Sequence, residues 1–246
     1  MIYYKFSPSQ LETYAEELLS NFDKELLVKT KTIDVYAVIE KCLDVPYDWK
    51  YITPNQSVLG MTAFNEGRTW VWEVPENDYI REQCYQSLTQ KGMSAKELTI
   101  LQGMIPRQIY LEKGTILIDS SLTERENRGR ENFTVMHEVF HQVIHKNCFR
   151  RERPDYTHRT TKKALNEKKR LETPLDYIEY QANACAAAFL MPRELLMQTY
   201  SKCYSGSALL SADSYQAKTI IKKLAPEFNS SEQSMKYRLL NLKLLK

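Results

Sequence analysis

His137-Glu138-Val139-Phe140-His141 decides how this chain is read. Two histidines four residues apart share one face of a helix, one turn apart, so both imidazoles can reach a single metal ion. Glu138 points about 100° round the helix from His137, where a carboxylate can take a proton from water beside that metal. An apolar stripe of Phe133, Met136, Phe140, Val143 and Ile144 extends the predicted helix over residues 131–145, with Gly129 read as the break before it. Three of the chain's four histidines, His137, His141 and His145, fall on this one stripe. Packing gives no reason for such clustering, whereas metal binding does.

A hydrolytic zinc site takes three protein ligands and one exchangeable water. His145 continues the stripe but lies two turns, about 12 Å, from His137, and three consecutive turns of a straight helix cannot converge on one ion. It reads as a residue behind the ligands, a helix cap or part of the site lining. A carboxylate on the following helix serves better as third ligand, and spacing leaves Asp176, Glu179 and Glu172 open. Glu179 carries Asn183 one turn later, and an asparagine there can hydrogen-bond the other ring nitrogen of a ligating histidine. Asp176 lies almost a turn earlier on the same side. Tyr177, Tyr180, His145 and His158 are candidate donors to a developing oxyanion. Two imidazoles and a carboxylate also serve iron in oxygenases, but a histidine pair with an interposed glutamate on one helix favours zinc, one ion per chain.

The rest of the sequence bounds the setting. The chain has 246 residues, 43% apolar and 26% charged, enough for one substantial core with a small appendage. A net charge of +3 is too small to argue for nucleic acid. No run of 18 apolar residues suggests a membrane span, and the opening residues turn amphipathic too soon for a secretory signal. Five cysteines without a C-x-x-C pair fit reduced thiols in the cytoplasm.

Ser7-Pro8-Ser9-Gln10 predicts a capped helix over about 8–19, and a second helix follows at 33–43. Strands at 58–64 and 69–74 are expected to pair as a hairpin through Asn65-Glu66-Gly67. A helix at 79–88 precedes a second expected hairpin, 107–111 with 115–119 around Glu112-Lys113-Gly114. Residues 149–172 carry nine Lys and Arg against four Asp and Glu, the composition of a solvated loop. An alanine-rich helix at 175–191 is expected to pack on the motif helix, followed by helices at 213–224 and 231–245, the latter capped by Ser230 and Gln233.

Arg130-Glu131-Asn132-Phe133-Thr134-Val135-Met136-His137-Glu138 resembles the entry to the site helix in the ImmA/IrrE family of bacterial zinc metallopeptidases. Glu179-Tyr180-Gln181-Ala182-Asn183-Ala184-Cys185-Ala186-Ala187-Ala188-Phe189-Leu190-Met191-Pro192 is similar to that family's second signature, and the similarity runs in order over residues 33–195. The resemblance implies that Glu179 is the third ligand and Asn183 its companion. It also implies an α+β, zincin-like fold, with a small, mostly antiparallel sheet packed on the motif helix and helices flanking it. Residues 1–197 would form the metallopeptidase domain and 198–246 a helical tail packed on it. The family cleaves proteins, with helix-turn-helix repressors as the associated substrates. This chain departs from it at Phe140, where the family has glycine, and at Cys185, where it has an aromatic.

The alternative is a zinc-containing DNA-binding or regulatory protein without peptidase activity. It draws on Leu224-Ala225-Pro226-Glu227-Phe228-Asn229-Ser230-Ser231, a piece that resembles both the family's tail and part of a helix-turn-helix, with seven Lys and Arg against three Asp and Glu over residues 211–246. Two helices lack the third that fixes a reading head, so direct DNA binding is not expected.

Overall fold

The computed structural model describes residues 4–123, 126, 128–149 and 171–246, with the backbone of 157–161. The chain divides into two compact units. One gathers Met1–Asp44, Thr123–Cys148 and Lys169–Lys246, the other Val45–Leu122 and Phe149–Lys168. Together their elements make an α+β protein.

The first unit is built on helices. Ser7 and Gln10 form the reciprocal cap expected of them, and the helix Pro8–Asp23 follows, burying Leu11, Ala15 and Leu19. Removing each leucine from water stabilises the unit by about 1.5–3 kcal/mol. Thr173 and Asp176 repeat the capping device, again with proline in the first turn, at the helix Pro174–Leu190. Both Pro8–Asp23 and the site helix, Arg128–Phe140, pack against Pro174–Leu190. Ala182, Cys185 and Ala186 have no exposed surface there, and their short side chains permit close approach. Phe140 meets Phe189 edge-on, with ring centroids 6.1 Å apart.

Three further helices of this unit are Arg193–Cys203, Tyr215–Glu227 and Glu232–Asn241. The last is capped by Ser231, whose hydroxyl accepts from the Ser234 N–H, one residue later than the sequence suggested. The turn before it is locked by Asn229 at φ 52°, and the Asn229 carbonyl accepts from Asn132 Nδ2 of the site helix at 3.0 Å. Gly129 does not break the site helix but lies within its first turn. A Cβ on it would stand 2.5 Å from the carbonyl carbon of Ser230 and 2.6 Å from the Ser231 nitrogen. Glycine is needed there for close approach. Arg238 is buried at 4% exposure, donates from Nε to the Met191 carbonyl at 3.1 Å, and grips both oxygens of Glu12 at 2.6 and 2.7 Å.

The second unit holds both sheets. β1 (Tyr47–Lys50), β2 (Val58–Ala63), β3 (Gly67–Glu73), β4 (Ile105–Leu111), β5 (Ile116–Asp119) and β6 (Thr157–Thr161) sort into a four-stranded sheet, β1-β5-β2-β6, and a ribbon, β3-β4. Neither expected hairpin forms. β2 pairs antiparallel with β5 and β6, and β3 pairs antiparallel with β4, Gly67 opposite Leu111 and Glu73 opposite Ile105. The reason lies in burial. All six residues of β2 are buried, so it takes a central place, whereas exposed and buried residues alternate along β3 as suits a ribbon with one open face. A turn glycine sets where the chain reverses, not which strand becomes its partner. Gly114, at φ 93°, donates its N–H to the Ala63 carbonyl at 2.7 Å and carries the chain from the ribbon into the larger sheet.

β1 joins β5 in parallel, Tyr47 opposite Ile116. Ile52, Val58, Met61, Ala63, Val71, Leu111 and Leu117 form one hydrophobic cluster in the core of this unit. The helices Asp78–Gln90 and Ala95–Ile100 bury no residue completely. The segment expected as a basic loop lies largely outside the described residues, as does the side chain of His158, but Thr157–Thr161 within it is an edge strand.

Candidate metal centre

The site helix is regular to Phe140 and then widens into a π-helical turn over His141–His145. Such turns re-aim side chains and recur at functional sites. His137 and Glu138 lie on the regular part and His141 opens the wide turn, all with no exposed surface. Glu179 comes from the middle of Pro174–Leu190, the helix packed alongside.

Three ligating side chains meet here. Nε2 of His137 and Nε2 of His141 are 2.9 Å apart. Glu179 brings Oε2 to 3.5 Å from the first and Oε1 to 3.4 Å from the second. Ligand atoms held about 2.0–2.1 Å from a tetrahedral ion stand roughly 3.3 Å from one another. Separations of 2.9 Å between the nitrogens, and of 3.4 and 3.5 Å from them to the two oxygens of Glu179, are in the range for a small divalent ion in tetrahedral coordination. Among the described residues, His137, His141 and Glu179 form the one group of three or more such side chains able to hold a metal.

The electrostatics agree. Burial by itself pushes the His137 imidazolium towards losing its proton, but the Glu179 carboxylate, the Glu138 charge and the Asn183 oxygen outweigh burial and raise its pKa. A buried imidazole that still attracts a proton is in a place built for positive charge. His137 Nδ1 lies 2.9 Å from Asn183 Oδ1, so the asparagine orients the ring and turns Nε2 towards the cluster.

The remaining sequence candidates take other places. Asp176 is spent on the helix start, where Oδ2 accepts from the Thr173 N–H and hydroxyl, both at 2.8 Å, and it does not join the cluster. Tyr180 is 39% exposed on the helix surface. His145 is buried behind His141, their Nδ1 atoms 3.0 Å apart. Gln181 and the backbone of Tyr4 were missed. Gln181 Oε1 lies 2.9 Å from His145 Nε2, and its Nε2 donates to the Tyr4 carbonyl at 2.7 Å. A signal for Gln181 was present: it is a polar residue on the stripe defined by Ile178, Ala182 and Cys185, and a buried polar group requires a partner.

Fold and site together define an α+β protein with a two-histidine, one-glutamate constellation on neighbouring helices. The family profile Peptidase_M78, described as the IrrE N-terminal-like domain, matches residues 90–240. The chain belongs to that family of metallopeptidases. The match takes in both site helices and the helix Tyr215–Glu227, and ends one residue short of the end of Glu232–Asn241. No curated protein matches the chain. Among the described residues no helix is long and apolar enough to cross a membrane.

Proposed function

We propose that this protein is a zinc-dependent metallopeptidase of narrow specificity that cleaves a cytoplasmic protein regulator, with a helix-turn-helix repressor as the leading substrate. One observation carries the proposal. Two buried histidines and Glu179 converge on one point beside a buried carboxylate, Glu138, that is not one of the three. A structural metal site has no use for that fourth group, whereas hydrolysis needs it. On this reading His137, His141 and Glu179 hold one zinc ion, and residues 1–197 form the catalytic domain with 198–246 packed on it as a tail. Zinc, when bound, polarises a scissile carbonyl and lowers the pKa of water at its open position to about 7.

The chain's own residues do the rest. Glu138 takes the water proton onto a carboxylate oxygen and delivers it to the leaving amine nitrogen. Asn183 fixes the His137 ring so that Nε2 offers its lone pair. Burial of the histidines removes water that would compete for the ligating atoms. All five cysteines are free thiols, in keeping with a cytoplasmic setting.

Metal analysis separates the roles. Wild type and Glu138→Gln are expected to hold one equivalent of zinc, and Glu179→Ala to lose most of it. Incubation with a helix-turn-helix repressor that is a substrate is expected to give one chelator-sensitive cut that Glu138→Gln abolishes, and casein should remain largely intact. Rapid, chelator-sensitive digestion of casein into many fragments would refute narrow specificity, and full zinc retention by Glu179→Ala would refute the ligand set.

A further inference from the structure

The Nδ1 atom of His141 stands 3.0 Å from Nδ1 of another histidine, His145. From the structure we infer that His145, Gln181 and the Tyr4 carbonyl form a directional relay that sets the tautomer of His141 and aims its Nε2 lone pair into the metal centre. This makes His145 a positioning residue, and it rests on the zinc reading above.

The direction follows from the far end. A carbonyl oxygen can only accept, so at the 2.7 Å contact with Tyr4 it is Gln181 Nε2 that donates. That turns Gln181 Oε1 towards His145 Nε2, 2.9 Å away, and an amide oxygen can only accept. His145 therefore carries its proton on Nε2. A neutral imidazole with hydrogen on one nitrogen has a lone pair on the other, so His145 Nδ1 accepts. Its neighbour at 3.0 Å, His141 Nδ1, must donate. His141 then has its lone pair on Nε2, the atom that faces the cluster.

Asn183 imposes the same outcome on the other ring, because its Oδ1 accepts from His137 Nδ1. Two lone pairs then face one another across 2.9 Å with a carboxylate alongside, an arrangement stable when a cation lies among them. The π-helical turn has a part in this as well, since both members of the histidine pair stand at its ends, His141 and His145. His145 is 1% exposed and Gln181 equally so, which shields the relay from competing water.

The test uses the full chain and zinc alone. Zinc affinity is measured by competition with a chromogenic chelator for wild type, His145→Phe and His145→Gln, with the melting temperature of each metal-free protein as control. Phenylalanine keeps a ring but neither donor nor acceptor, and zinc should bind about 10–100-fold more weakly, as for other partners of ligating histidines. Glutamine can accept from His141 and donate to Gln181, so it should restore affinity to within a few-fold of wild type. In zinc-loaded wild type, long-range nitrogen–proton correlation spectra should show hydrogen on Nδ1 of His141 and on Nε2 of His145.

Equal zinc affinity in His145→Phe and wild type would overturn the relay and leave the metal centre standing. So would glutamine failing to rescue, or His145 carrying its proton on Nδ1, and the spectra need no variant to fold. A wild-type protein that takes up no zinc would instead overturn the metal reading itself.

Discussion

Replacing Gly129 by alanine sets two physical effects against each other. Glycine in a helix is worse than alanine by up to about 1 kcal/mol, so helix propensity alone predicts a more stable protein. The surroundings predict the reverse. The new Cβ would lie 2.5 Å from the Ser230 carbonyl carbon, 2.6 Å from its oxygen and 2.6 Å from the Ser231 nitrogen, all main-chain atoms that no rotamer change can move. Relieving the overlap requires the site helix and the Ser230 turn to part by most of an ångström. Overpacking of this kind costs about 1–3 kcal/mol. The separation also strains the 3.0 Å bond from Asn132 to the Asn229 carbonyl, which contributes about 1 kcal/mol. Subtracting the propensity gain leaves a net loss of about 2 kcal/mol, or roughly 4–8 °C in melting temperature for a chain of this size. Thermal unfolding of metal-free wild type and Gly129→Ala, followed by circular dichroism, measures it. An unchanged or higher melting temperature would refute the reasoning, because it would mean that the Ser230 turn does not bear on the helix.

Removing the guanidinium with Arg238→Leu leaves the Met191 carbonyl and the Glu12 carboxylate without their donor, and chemical denaturation should report a loss of about 3 kcal/mol. Zinc should stabilise the folded chain by mass action, about 2.7 kcal/mol at a free concentration a hundred times the dissociation constant, so a chelator should lower the melting temperature of wild type but not of Glu179→Ala. Titration with duplex DNA at physiological salt should give at most weak, salt-sensitive binding, and submicromolar, sequence-selective binding would promote the DNA-binding alternative.

What could be read in the sequence divides along the range of the interactions. The start of the helix Pro8–Asp23 was legible because Ser7, Pro8 and Gln10 write its cap within four residues, although it runs four residues past the expected end at 19. The site histidines were legible because their spacing on one helix is itself the geometry. Glu179 was less so, since spacing did not separate it from Asp176, and it is the capping role of Asp176 that accounts for the other carboxylate. Strand partners were not legible. The turns around Gly67 and Gly114 look like hairpin loops, yet β2 finds β5 and β3 finds β4, because pairing is settled by which faces can be buried together. Gly129 was misread for a similar reason. Its purpose lies in a main-chain segment about a hundred positions further on, near Ser230, which no local pattern reveals.

The seating of Pro8–Asp23 against Pro174–Leu190 bears on how the chain comes off the ribosome. The Cys185 thiol meets the Leu11 carbonyl across 174 residues of sequence, and Arg238 meets Glu12 across 226. At roughly 5–20 residues per second, the leucines of the N-terminal helix wait on the order of 9–35 s for their partner to be synthesised. During that interval their apolar stripe is open to chaperones and to neighbouring nascent chains. The metal ligands therefore come together late, when the parts that hold them have all emerged. Expression at lower temperature or with added chaperone should raise the yield of zinc-competent protein more than zinc supplementation does.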